Sequence, residues 1–156
     1  MTEPTQNSPV QVAPATNSPS PTDNAQTVET FLKALQDSDL DTAGDLLADD
    51  LVYQNVGFPT IHGRHRAIQL FRRMEGRGGF EAKIHRIVTD GDSVVTERSD
   101  ALIVGPLRLQ FWVCGVFEVH DGRITLWRDY FDMFDIVKAT LRGIAALVVP
   151  SLKASF

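Results

Sequence analysis

The chain has 156 residues, a length that suits one domain with a sizeable core and excludes a large multidomain assembly. Its 15 Lys and Arg against 20 Asp and Glu leave a net charge of -5, which lacks the basic field that phosphate backbones demand, so no nucleic acid partner is expected. At 43% hydrophobic and 22% charged the composition is that of a folded protein, and its one cysteine, Cys114, permits no intrachain disulfide and sits in no zinc-ligand spacing, which fits a reducing compartment.

Residues 1–22 hold five of the eight prolines, many Ser, Thr, Asn and Gln, and one charged residue, Glu3, and read as a disordered tail ahead of a single domain over 23–156. The tail has neither the basic start nor the apolar run of a secretory signal. No later stretch approaches the roughly 18 apolar residues of a membrane span. A cytoplasmic protein is expected.

Asp23 and Gln26 resemble a capping box, and Val28, Phe31, Leu32 and Leu35 repeat at helical spacing, which predicts a helix with one buried face. Asp39 is placed to cap a shorter helix with the stripe Leu40, Ala43, Leu46 and Leu47. Residues 51–56 read as a strand that puts Leu51, Tyr53 and Asn55 on one face. A third helix is expected over 64–74, with Ala67, Phe71 and Met74 inside.

The period then changes to two. Residues 80–89, 93–104, 107–119 and 123–131 are strand-like runs divided by Asp90-Gly91, Gly105-Pro106 and Asp121-Gly122, an antiparallel meander. Asp132 is placed to cap a last helix with Met133, Ile136, Val137, Ala139 or Thr140, and Leu141 inside, and Gly143 as its stop. Helices followed by a run of strands indicate an α+β fold.

Alternation puts Arg98 and Asp100 on one strand face with Leu102; burial favours Leu109, Phe111 and Val113 as the interior face of the next strand; Trp127, Asp129 and Phe131 share a face of the last. A two-residue turn at Gly105-Pro106 sets Arg98 opposite Val113. A three-residue turn over 120–122 sets Val113 opposite Asp129, so the three lie in one row. Ionised groups on so apolar a face are costly unless paired. An Arg between two carboxylates holds both, while desolvation and like charge keep one carboxyl protonated, giving one acid and one base. Tyr53 and Asn55 supply a phenol and an amide able to grip a water with the ionised carboxylate, so such a site needs no metal and no cofactor. A purely structural Asp-Arg-Asp network that fixes strand register has the same spacing, and Tyr and Asn are also ordinary residues of strands and strand ends. His62, His65, His85 and His120 fall in loops or at exposed positions, and Cys114 lies on the opposite face, so nucleophilic Cys/His chemistry has little support.

At Tyr53-Gln54-Asn55, Glu97-Arg98-Ser99-Asp100 and the segment Trp127-Arg128-Asp129-Tyr130-Phe131-Asp132, the chain resembles the limonene-1,2-epoxide hydrolase family over about residues 24–143. The resemblance implies a curved antiparallel or mixed sheet cone with N-terminal helices packed over it, shared with ketosteroid isomerase and nuclear transport factor, and a deep apolar pocket. It implies Asp129 as the base that deprotonates water with Tyr53 and Asn55, Asp100 as the acid that protonates the epoxide oxygen, and Arg98 as the bridge. The expected substrate is a lipophilic, cyclic or long-chain epoxide, against walls formed by Leu102, Leu109, Phe111, Val113, Trp127 and Phe131. An isomerase or cyclase of the same fold and a non-catalytic carrier of lipophilic molecules are the alternatives. The resemblance implies a dimer, and the strand faces turned away from the pocket, with Ile103, Trp112, Cys114, Val116, Leu126 and Tyr130, point to a homodimer through that surface; residues 144–156 folding back over it is the monomeric alternative.

Overall fold

The structure, a computed structural model, describes residues 21–156. Four helices and six strands follow in the order α1 (Pro21–Gln36), α2 (Leu40–Asp45), β1 (Leu47–Asn55), β2 (Ile61–His62), α3 (Arg64–Arg72), β3 (Gly78–Asp90), β4 (Ser93–Val104), β5 (Leu107–His120), β6 (Arg123–Tyr130) and α4 (Met133–Val148), with a short 3-10 turn at Pro150–Leu152. The expected tail lies outside the described residues except for its last two positions, which belong to α1; Asp23 therefore sits in the first turn of α1 rather than capping it.

The sheet is open and mixed, in the order β2-β1-β6-β5-β4-β3, with β1 parallel to β6 and every other pair antiparallel. One face packs against the N-terminal helices. Val28, Phe31, Leu32 and Leu35 of α1 and Ala67 and Ile68 of α3 close over Leu51, Tyr53, Val94, Phe117 and Trp127 of the strands to form the core. Trp127 is its hub, with the Phe31 ring edge-on at 4.9 Å and Tyr53 stacked at 4.0 Å. The buried Asn24 ties the start of α1 to the β3–β4 turn, donating to the Gly91 carbonyl at 3.1 Å.

Several boundaries depart from the sequence expectations. Asp39 does cap α2, accepting from the Thr42 amide at 3.1 Å, but the helix is six residues long: Leu46 follows it and Leu47 already opens β1. The short β2, unanticipated, pairs with β1. Asp132 caps α4 through the Phe134 amide. Gly143 does not stop that helix; it is buried inside it, and a Cβ there would meet Leu107, the Arg108 carbonyl and Leu109 at 3.0 to 3.2 Å, so the glycine is the point of closest approach to β5. Of the residues expected inside α4, Ala139 is buried and Ile136 partly so, while Met133, Val137 and Leu141 are exposed.

The meander's registers decide where the site forms. Val104 pairs with Leu107 across a two-residue turn, and Arg98 stands opposite Val113 as expected. The β5–β6 connection is different. His120 pairs with Arg123, so the turn has two residues, and both Asp121 (φ 51) and Gly122 (φ 73) are left-handed, the requirement of a type I′ turn. Alone, that turn would put Asp129 on the wrong face, because a one-residue slip inverts every side chain. Thr125 corrects it: Glu118 pairs with Leu126 and Val119 with Ile124, leaving Thr125 as a bulge whose hydroxyl donates to the Glu118 carbonyl at 3.3 Å. Ile124 and Trp127, three residues apart, consequently both reach the core. Asp129 faces the pocket opposite Gly115, not Val113, so the single row Arg98-Val113-Asp129 is not formed.

Candidate active site

Four adjacent strands bring the site together. β4 presents Thr96, Arg98 and Asp100 on one face by simple alternation, and β5 sets Gly115, Val113 and Phe111 opposite them. β6 contributes Trp127 and Asp129. The parallel pairing of β1 with β6 places Tyr53 beside Trp127 and Asn55 beside Asp129, joining residues more than 70 positions apart.

Arg98, with 0% of its surface exposed, lies behind and between the two carboxylates. Its Nε donates to Asp100 Oδ1 at 2.8 Å and Oδ2 at 3.0 Å. Its Nη2 lies 2.7 Å from Asp129 Oδ1, an ion pair. The other oxygen of Asp129 accepts from the Trp127 indole N–H at 2.9 Å. Asn55 Nδ2 donates to the Tyr53 hydroxyl at 2.7 Å, which leaves the phenolic proton available to a further acceptor.

The electrostatics follow from burial and pairing. Burial pushes Asp100 up to about 6; the charge and hydrogen bonds of Arg98 restrain the rise, and the Asp129 charge adds to it. Burial also raises Asp129, against the charge of Arg98 and the hydrogen bonds from Arg98 and Trp127. Burial opposes the charge on Arg98 itself, but the two carboxylates outweigh it and the guanidinium stays a cation. Tyr53 is raised by burial and by Asp129, and stays a phenol. One cation therefore faces two buried carboxyl groups. With one cation between two carboxyl groups that burial raises, the pair holds one proton and one negative charge between them as a coupled unit.

The two carboxyl groups, Tyr53 and Asn55 open into a cavity of about 360 Å³ between the sheet and the helices. Leu102, Leu109, Phe111, Val113, Trp127 and Phe131 line it. Phe58, Leu70, Phe71, Met74, Phe80 and Ile136 complete the lining, from the loop after β1, from α3 and its following turn, from β3 and from α4. Phe71 and Met74 were legible as a helix stripe, and the helical period could not say that the stripe faces a cavity. Thr96 and Gly115, which touch the guanidinium, were missed altogether; the one available signal is a glycine amid a strand run, which marks a close approach.

His62, His65, His85 and His120 are exposed and away from the cavity. His85 accepts or donates one hydrogen bond to Ser99 at 2.9 Å and stacks on Trp112 at 4.8 Å, on the reverse of the sheet. There Trp112 and Tyr130 remain 46% and 43% exposed. The C-terminal residues reach one end of that reverse face, where Gln110 donates to the Ser155 carbonyl at 3.5 Å and Arg108 lies over the Phe156 ring at 4.9 Å. Among the described residues no helix is long and apolar enough to cross a membrane.

Residues 22–142 match the family described as the limonene-1,2-epoxide hydrolase catalytic domain. Epoxide hydrolase EphG of Mycobacterium tuberculosis is 68% identical over 128 residues, 82% of this chain and 86% of that protein. The solved structure of a limonene epoxide hydrolase-like epoxide hydrolase from M. tuberculosis superimposes with a TM-score of 0.85 at 65% identity, covering 86% of this chain and 96% of that one. A protein with a ketosteroid isomerase-like fold from Catenulispora acidiphila superimposes with a TM-score of 0.66 at 17% identity over 74% of this chain and 92% of that one, a likeness of fold.

Proposed function

The chain belongs to the limonene-1,2-epoxide hydrolase family, and from that premise we propose that it opens lipophilic epoxides to vicinal diols in one step, with water as the nucleophile. The observation that carries the reading is Arg98 holding Asp100 and Asp129 together at the floor of an otherwise apolar cavity. Asp129 takes a proton from water, and the hydroxyl oxygen attacks one ring carbon. As that carbon's bond to the epoxide oxygen breaks, Asp100 gives its proton to the oxygen. Asp129 ends protonated and Asp100 ionised; the proton returns through solvent, and no covalent enzyme intermediate forms. Tyr53 and Asn55 flank Asp129 and orient the water. The pair carries one negative charge before and after the step, and Arg98, which touches both carboxyl groups, faces that charge as it passes from Asp129 to Asp100. The cavity's volume lies in the lower part of the roughly 300 to 1,000 Å³ range of small-molecule sites, and its apolar walls favour a cyclic or long-chain hydrocarbon epoxide.

Incubation with a panel of lipophilic epoxides tests this, followed by a single turnover in heavy-oxygen water. The expected product is a diol carrying one atom of the label, with both aspartates unlabelled. Label in Asp129 by peptide mass analysis defeats the one-step route in favour of an ester intermediate. Ketone isomerisation without diol indicates the isomerase alternative, and ligand binding without turnover indicates the carrier.

We also propose a two-fold dimer through the reverse face of the sheet. The support is the half-exposed Trp112 and Tyr130 with the exposed Cys114 beside them, a surface of the composition found at interface centres, which the C-terminal residues reach only at its Arg108 end. The wild type is expected to sediment as a dimer at micromolar concentration and Trp112→Glu as a monomer. A monomeric wild type defeats the dimer, and a dimeric Trp112→Glu protein moves the interface elsewhere.

A further inference from the structure

Two carboxylates do not use all the donors of Arg98. The guanidinium has five N–H groups in one plane, and its usual grip on a carboxylate is a two-pronged one to a single partner. Here the fork is divided. Nε serves Asp100, Nη2 lies against Asp129, and Nη1 donates to Thr96 Oγ1 at 3.0 Å. The Thr96 side chain is wholly buried, and its hydroxyl donates in turn to the Gly115 carbonyl at 3.4 Å. Thr96 carries no group suited to acid or base chemistry, and its buried hydroxyl is satisfied only through Arg98 and Gly115 among the hydrogen bonds it makes.

Gly115 is the second half of the arrangement. It pairs with Thr96 on one side and with Asp129 on the other. Its backbone is not left-handed, so a side chain is excluded for want of space, not by conformation. A Cβ there would lie 2.1 Å from Arg98 Nη1, 2.8 Å from Thr96 Oγ1 and 2.9 Å from Asp129 Oδ1. The guanidinium occupies the room that a side chain at residue 115 would fill.

From this geometry we propose that Thr96 and Gly115 are positioning elements of the site: Gly115 leaves the slot that admits the guanidinium, and the Thr96 hydroxyl holds its third corner so that the fork stays divided between Asp100 and Asp129. Without the Thr96 hydroxyl, the fork closes on Asp100, two residues away on the same strand, and Asp129 loses its cation. The consequence for turnover rests on the epoxide hydrolase reading above; the consequence for the guanidinium does not.

The test compares the wild type with Thr96→Val, Thr96→Ser and Gly115→Ala. Nitrogen-15 NMR of the Arg98 side chain is expected to show separate, slowly exchanging Nη signals in the wild type and in Thr96→Ser, and Nη shifts displaced from the wild-type values in Thr96→Val as the fork re-pairs on Asp100. With an epoxide that the wild type turns over, Thr96→Val is expected to lower kcat at least tenfold with KM changed less than threefold. The alkaline limb of its pH profile moves to lower pH, because Asp100 then carries more of the Arg98 charge; the groups that face Arg98 from β1, β4 and β6 are Tyr53, Asp100 and Asp129. Thr96→Ser is expected to recover to within threefold of wild type, and Gly115→Ala to lose more than a hundredfold. Averaged Nη signals in the wild type overturn the proposal without any variant having to fold. So does a Thr96→Val protein with the wild-type Arg98 spectrum, kcat and pH profile. If the wild type opens no epoxide, the functional reading falls while the NMR comparison still decides this one.

Discussion

Asp100→Asn and Asp129→Asn are each expected to lower diol formation by about 10³-fold or more, the scale set by loss of a positioned acid or base. Asn matches the shape of Asp, and neither the acid's proton nor the base's affinity for one survives the change. Both proteins are expected to fold. Each carboxyl group is raised by burial, so a neutral amide suits the site at least as well as the anion does. The wild-type pH dependence follows from the same residues. The active pair holds one proton, so kcat/KM falls as pH rises through about 6 and that proton is lost, and falls on the acid side as the pair takes up a second. Linkage adds a stability signature. Raised from 3.8 to about 6 by folding, Asp100 contributes stability that is fully present below pH 3.8 and lost as pH rises through about 6, and Asp100→Asn removes that dependence. Steady-state rates across pH and denaturant melts at pH 4 and pH 7 check both statements. Activity within tenfold of wild type in either variant removes that residue from the mechanism.

Replacing Arg98 is expected to have the largest effect on the fold. Its side chain is wholly buried and neutralises two carboxyl groups that are themselves almost wholly buried. Arg98→Ala leaves both without a cation, and breaking a buried pair in this way costs about 3 to 5 kcal/mol. The penalty shrinks as pH falls, because protonation neutralises the stranded carboxylates, so the deficit against wild type is expected to be smaller at pH 5 than at pH 8. Arg98→Lys keeps the charge but offers one ammonium in place of a planar fork, and an ammonium cannot meet Asp100, Asp129 and Thr96 in the directions they occupy. It is expected to retain more stability than Arg98→Ala and to lose at least 10²-fold in turnover. Denaturant melts at the two pH values and initial rates on one epoxide measure both. Full activity in Arg98→Lys argues against the bridging role, and a deficit that does not change with pH argues against the stranded carboxylates as its cause.

Within single elements the sequence determined a great deal. Alternation along 93–104 is a local property, and it alone puts Arg98 and Asp100 on one face with Leu102. The same period, broken at Gly105-Pro106 and Asp121-Gly122, delimits β4, β5 and β6 to within a residue, and Asp39 and Asp132 act as caps where their spacing predicts. The apolar wall from Leu102 to Phe131 was readable because a buried strand face must be apolar. Relations between elements were decided elsewhere. Period two says which residues share a strand face and nothing about how far one strand slides along the next. The slide depends on a type I′ turn and on a bulge at Thr125, and these two one-residue effects combine to return Asp129 to the pocket face opposite Gly115. Tyr53 and Asn55 reach Asp129 through the parallel pairing of β1 with β6, a contact between distant segments that leaves no mark in the periodicity of either. Gly143 ends no helix, since what matters there is the distance to β5 and not the helical propensity of glycine. Gly115 and Thr96 looked like ordinary strand positions for the same reason. Their importance lies in the volume of a guanidinium carried by the neighbouring strand, and only tertiary packing brings that volume to them.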